Sequence, residues 1–151
     1  MPESPTPGTG WMRMKSEKID CFLDTNVLLY AASERNRDPL RAPIASELVS
    51  QSAFCVSGQT LAEFVAAGRR KKLLAEDSID GWLVFLGSCP MVAVDDAYVR
   101  AGFDTARRFG INYYDAALLA AAERLGAPVF YTEDLNHNQV YGSVRAVNPL
   151  L

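Results

Sequence analysis

The stretch Ile19-Asp20-Cys21-Phe22-Leu23-Asp24-Thr25-Asn26-Val27-Leu28-Leu29-Tyr30 constrains this chain more than any other. It begins as a short, mostly apolar run and stops on a carboxylate. Such a run, with β-branched and aromatic members, reads as a strand buried on both faces. A strand of that kind needs a covering layer on each side. Asp24 falls where the strand ends. Thr25 or Asn26 is placed to cap a helix that carries Val27, Leu28, Leu29 and Tyr30 inward. Ligands of open α/β sheets bind at the carboxyl ends of the strands, so Asp24 stands where chemistry is usually done. Taken alone, it reads first as a turn or capping residue. The functional reading depends on other acids arriving at the same edge.

The strand-then-helix unit recurs along the chain. Asp38-Pro39 predicts an N-cap with Pro at the first helical position, opening a helix with Leu40, Ile44, Leu48 and Val49 on one face. Ala53 to Val56 reads as a short buried strand ended by Ser57-Gly58. A helix follows through Ala67, burying Leu61, Phe64 and Val65, with Glu63 in its early turns. By itself Glu63 is an ordinary exposed glutamate or a capping-box partner of Thr60. Glu76 to Gly87 predicts an amphipathic helix burying Ile79, Trp82, Leu83, Phe85 and Leu86, with Trp82 a core or dimer residue. Met91 to Val94 is the next strand. Asp95 and Asp96 read as helix-start acids rather than site residues, and Gly110 as the end of the helix they open.

The clearest helix lies between Asn112, a cap, and Gly126, a stop, and its alanines favour close packing on a sheet. Asp115 is its third residue, where an acid can simply serve the helix dipole. Pro128 to Tyr131 is a fourth strand, followed by Thr132-Glu133-Asp134. Leu135 to Gly142 reads as a polar loop or short helix, and Val144 to Val147 as a last strand. Regular alternation of strands and helices makes the economical fold a three-layer α/β/α domain with a mainly parallel central sheet.

Composition bounds the rest. One domain with a full core suits 151 residues at 49% hydrophobic content. Mean hydropathy is near zero and no apolar stretch approaches a membrane span. A net charge of −3 argues against a non-specific nucleic-acid coat. It leaves room for a nucleic-acid substrate, because bound divalent cations reverse the sign of an acidic site. Cys21, Cys55 and Cys89 are odd in number and widely spaced, which predicts thiols of a reducing, cytoplasmic compartment. With His137 as the sole histidine, the chain lacks the usual ligands of a zinc site. Residues 1–18, rich in Pro, Gly, Ser and charge, predict a disordered extension ahead of a domain over 19–151. That extension has no apolar core of a secretory signal, and Met12 and Met14 are candidate alternative starts that the sequence alone does not decide between. Arg69-Arg70-Lys71-Lys72 is the one dense basic run, either a solvated helix end or an RNA-facing lip.

In the α/β fold, Asp24, Glu63, Asp115 and Asp134 all lie at strand ends or helix starts. Four like charges in one cleft repel, so such a cluster makes sense around a cation. An oxygen-only ligand set points to Mg2+ or Mn2+, which would activate water and stabilise a phosphodiester transition state. The chain has no GxxxxGK[ST] loop and no GxGxxG turn, so P-loop and dinucleotide folds do not apply.

At this point the chain resembles the PIN-domain ribonucleases, particularly the VapC-type toxins of toxin–antitoxin pairs. The matching pieces are Phe22 to Tyr30, Gln59 to Phe64, Tyr113 to Ala122, and Tyr131 to Asn136, with Val144 to Pro149 like the family's end. The resemblance implies an Mg2+- or Mn2+-dependent endoribonuclease acting on RNA. It implies that Asp24 and Asp115 are the principal metal ligands, with Asp134 binding metal directly or through water. Glu63 would orient water or hold a second ion, and Asn26 and Thr132 would give supporting hydrogen bonds. It also implies a small antitoxin partner whose tail covers the cleft, often placing an arginine among the acids, and a homodimer. Residues 1–18 and the Asn112-Tyr113 pair, where the family often has a small hydroxyl residue, depart from the pattern. The alternative is a catalytically idle PIN-like module that binds RNA or protein. A haloacid-dehalogenase-type phosphatase would want an acid where Asn26 stands.

Overall fold

The computed structural model describes residues 18–33 and 38–151. The disordered extension expected over residues 1–18 therefore lies, but for Lys18, outside the described residues, as do residues 34–37 of the polar break. In chain order the elements are β1 (Cys21–Leu23), α1 (Thr25–Ala32), α2 (Arg41–Gln51), β2 (Phe54–Ser57), α3 (Gly58–Arg70), α4 (Glu76–Gly87), β3 (Met91–Val92), α5 (Asp96–Phe109), α6 (Tyr113–Arg124), β4 (Val129–Tyr131), β5 (Val140–Tyr141) and β6 (Val144–Val147). The strand order is β3-β2-β1-β4-β6-β5. All pairings are parallel except β5 with β6. The expected mainly parallel α/β/α sandwich is the fold.

β1 sits at the centre, and all three of its residues are buried. Successive side chains of a strand point to opposite faces, and β1 divides its residues accordingly. Cys21 and Leu23 join one core with Val27, Leu28, Ala45, Phe64 and Leu86. Phe22 joins the other, with Ala117, Leu118, Ala121 and Phe130. Phe22 meets Phe130 edge to face, with ring centroids 5.4 Å apart. Each such fully buried side chain contributes about 1.5–3 kcal/mol. The alanines of α6 let it lie close on the sheet. Gly102 does the same between α5 and α6, for a Cβ there would stand 2.8 Å from Ala117 Cβ and 2.8 Å from Tyr113 Cε1.

Several helix starts differ from expectation. Asp24 itself caps α1, accepting from Thr25 N at 2.7 Å, so Thr25 is the first helical residue. Asp38 accepts from Arg41 N at 2.9 Å, but Pro39 and Leu40 form a turn ahead of α2. Leu40 is consequently 70% exposed, and α2 buries Ala42 and Ala45. The α3 capping box joins Ser57 to Thr60 and leaves Glu63 out. Asp95 and Asn112 cap α5 and α6, and Gly110 ends α5 at φ +65°, as the sequence predicts.

On α4, Ile79 and Leu86 are buried but Phe85 is 43% exposed. Phe85 lies edge-on to Phe54 and Trp82, so it closes the rim of a core that Trp82 and Phe64 fill. β3 stops at Val92 and does not reach Val94. The segment expected as polar loop or helix contains β5, which pairs with β6 across a turn at Gly142, φ +64°. Tyr141 is thereby buried edge-to-face on Phe109.

Candidate functional site

The carboxyl ends of β1, β2 and β4 lie side by side, and the candidate residues stand just past them. Two backbone hydrogen bonds set their register. Asp24 N donates to Tyr131 O at 3.1 Å, and Thr132 N to Val147 O at 3.0 Å. Asp24 and Thr132 are both buried. The Thr132 hydroxyl donates to Asp24 Oδ2 at 2.7 Å and accepts from Asp134 N at 3.1 Å. One hydroxyl thus holds the first acid and shapes the turn that carries the last.

Glu63 reaches the same region from α3. Its Oε1 accepts from Thr25 Oγ1 at 3.0 Å and its Oε2 from Gln59 Nε2 at 3.0 Å. Asp115 stands in the first turn of α6, half-buried. Asp134 is exposed at the mouth. Glu133 is engaged elsewhere, accepting from Tyr30 OH at 2.7 Å and lying 3.7 Å from Arg41 Nε.

Electrostatics join the four acids. Burial pushes the Asp24 carboxyl from 3.8 up to about 7; the Thr132 hydroxyl and Thr25 N pull it down, while Asp134 and Glu63 repel its charge. Burial, then Asp134, then Glu63 push Asp115 up to about 6. Asp134 and Glu63 act on both Asp24 and Asp115, so the four acids share one neighbourhood. Among the described residues, no three His, Cys, Asp or Glu side chains converge as a ready-made metal cage.

Asn26 lines a cleft of about 340 Å³ with Lys71, Tyr30 and Leu29. The other cations of the basic run lie on a separate groove of about 1170 Å³, where Arg69, Arg70 and Lys72 edge an apolar floor that includes Val65 and Leu74. Arg69 pairs with Glu76 at 3.1 Å. Thr25, Gln59 and Tyr98 also belong to the site's hydrogen-bond network, a role the sequence motifs do not assign to them. Gln59 stands four residues before Glu63, a spacing at which helical side chains meet; that signal was available. Tyr98 gave none, since it arrives from α5.

Cys21, Cys55 and Cys89 are free. No helix among the described residues is long and apolar enough to cross a membrane.

The sequence matches no curated protein. Solved structures share its fold at low identity. A toxin–antitoxin complex from Klebsiella pneumoniae is 15% identical, with a TM-score of 0.63, over 86% of this chain and 98% of that one. VapC20 of Mycobacterium tuberculosis, described as a toxin cleaving the sarcin–ricin loop, is 16% identical at a TM-score of 0.61, over 76% and 90%. VapBC2 of Rickettsia felis, bound to a promoter DNA fragment, is 16% identical at 0.56, over 85% and 97%. The family model for the PIN domain matches residues 21–143, which span every strand but β6 and all the candidate acids, and the chain belongs to the PIN domain family.

Proposed function

We propose that this protein is a metal-dependent endoribonuclease, the toxin of a toxin–antitoxin pair, that hydrolyses RNA phosphodiester bonds. The observation that carries the reading is the gathering of Asp24, Glu63, Asp115 and Asp134 beyond the strand ends, where burial first and the charges of Asp134 and Glu63 second raise Asp24 to about 7 and Asp115 to about 6. A fold gains nothing from such a cluster unless a cation neutralises it.

The donor chemistry fits Mg2+, or Mn2+, since every candidate ligand is a carboxylate oxygen. Asp24, Asp115 and Asp134 would hold the ion. A bound ion of this kind supplies a water nucleophile and charge stabilisation at phosphate. The chain's own residues do the rest. Thr132 fixes the Asp24 carboxylate, Thr25 and Gln59 fix that of Glu63, and Glu63 orients water or holds a second ion. Asn26, which opens on the neighbouring cleft with Lys71, would give a supporting hydrogen bond. Lys71, sharing the Asn26 cleft, would meet RNA backbone, with Arg69, Arg70 and Lys72 on the outer groove. A cognate antitoxin would cover the acids, and exposed Val84, Val99 and Phe103 offer helix faces for a homodimer. Three free thiols suit the cytoplasm.

The idle-module reading draws on one observation, that no three acids are already closed into a cage. The two part on a single experiment: incubation of purified protein with total RNA in Mg2+, in Mn2+ and in EDTA, beside Asp24→Asn. Discrete fragments that need metal and vanish in the variant are expected. An inactive wild type that binds no metal would overturn the proposal in favour of the idle module.

A further inference from the structure

A chain of hydrogen bonds runs from the base of α3 to the acids and joins four helices, α1, α3, α5 and α6. Ser57 Oγ lies 2.9 Å from Tyr98 OH. Tyr98 OH donates to Gln59 Oε1 at 2.8 Å. Gln59 Nε2 donates to Glu63 Oε2 at 3.0 Å and to Tyr114 O at 3.2 Å. On its other oxygen, Glu63 accepts from Thr25 Oγ1 at 3.0 Å.

The directions along this chain are forced. An amide oxygen only accepts and an amide nitrogen only donates. Tyr98 must therefore spend its hydrogen on Gln59, and the Ser57 hydroxyl supplies the hydrogen between Ser57 and Tyr98. The two groups facing Gln59 Nε2, a carboxylate and a backbone carbonyl, are both acceptors. A flipped amide would set oxygen against both and leave Tyr98 facing an NH2. The Glu63 carboxylate and the Tyr114 carbonyl thus select the orientation in which Gln59 grips Glu63 and the first turn of α6, and the Tyr98 hydroxyl completes it by donating to the amide oxygen. That turn carries Asp115, the residue after Tyr114.

We propose that Gln59, anchored by Tyr98, is a positioning residue that holds Glu63 and the Asp115 turn in mutual register for metal binding and cleavage. The inference rests on the ribonuclease reading for its activity arm only. Gln59 bridges α3, where Glu63 sits, to α6, where Asp115 sits. With its two donors removed, two like-charged elements would face each other without a connecting hydrogen bond.

The test compares Gln59→Glu, Gln59→Met and Tyr98→Phe with wild type. Metal-dependent RNA cleavage gives kcat and KM, Mn2+ titration by calorimetry gives affinity, and thermal unfolding gives Tm. Gln59→Glu keeps the volume but sets an acceptor against two acceptors, so a packing role would tolerate it best. The positioning role predicts the reverse order, with Gln59→Glu worse than Gln59→Met and Tyr98→Phe mildest. Loss of a hydrogen bond to a charged group corresponds to roughly a 10- to 100-fold effect. We expect that loss for Gln59→Met in kcat, in Mn2+ affinity, or in both, with KM for RNA and Tm little changed. Wild-type cleavage and Mn2+ binding in Gln59→Glu would overturn the inference, as would losses that only track a falling Tm. If the wild type cleaves no RNA, the ribonuclease reading fails by itself, and the Mn2+ arm still decides the role of Gln59. A wild type that neither cleaves nor binds Mn2+ overturns both.

Discussion

Replacing Asp24 by Asn should make this protein more stable while removing the proposed ribonuclease activity. Asp24 is 5% exposed, and burial with repulsion from Asp134 and Glu63 moves its carboxyl from 3.8 to about 7. That displacement corresponds to about 4 kcal/mol between the two protonation states, at about 1.4 kcal/mol per tenfold change in proton affinity. The folded state binds the proton more tightly than the unfolded chain. Its benefit is therefore whole below about pH 4 and is lost as the pH climbs through about 7. At pH 8 the wild type carries the full cost of a buried, repelled charge. Asn is neutral and its amide oxygen still accepts from Thr25 N, so the cap on α1 survives. Its amide nitrogen fits the Thr132 hydroxyl less well than a carboxylate does, at a cost of about 1 kcal/mol. The net gain at pH 8 is then about 2–3 kcal/mol, or about 5–10 °C in Tm for a chain of this size. At pH 5, where Asp24 is mostly protonated, the difference should shrink below about 1 kcal/mol. Urea unfolding in EDTA at pH 5 and pH 8 measures both. Saturating Mg2+ should then stabilise the wild type and narrow the gap, because an ion that binds only the folded state adds to its stability. Equal stability of wild type and Asp24→Asn at pH 8, or a gap independent of pH, would refute the electrostatic account of the site.

Two further substitutions probe what holds the acids in place. Thr132→Val removes the donor to Asp24 Oδ2 and the acceptor for Asp134 N; it should cost about 1–3 kcal/mol in urea unfolding, while Thr132→Ser should restore most of it. Gly102→Ala forces a methyl group against Ala117 and Tyr113; overpacking of about 1–3 kcal/mol should outweigh the helix-propensity gain of up to about 1 kcal/mol, lowering Tm.

Local chemistry made much of this fold legible. Asn112, Gly110 and Asp95 announce helix ends because capping involves only neighbours in sequence. The strand ends that present Asp24 and Thr132 were readable for the same reason, since an apolar run has a visible boundary. Residues whose role depends on distant elements were not readable. Leu40 carries every mark of a core residue, yet a turn set by Asp38 and Pro39 puts it in solvent. Phe85 fits the apolar stripe of α4, but that stripe is wider than the surface it covers. β5 is only two residues long and set in a polar stretch, so it does not declare itself, and it exists because Gly142 folds it back onto β6. Tyr98 lies 39 residues from Gln59, and only the packing of α5 brings them together.

The sheet ends on each side in a strand of two residues, Met91–Val92 and Val140–Tyr141. Long unpaired edges invite strands from other molecules, in aggregation as in designed assembly. Edges this short give an incoming strand almost no backbone to pair with. A second chain must instead be recognised by side chains on helices, where one substitution can admit or reject it. Backbone pairing accepts nearly any sequence, and this fold has almost closed that route.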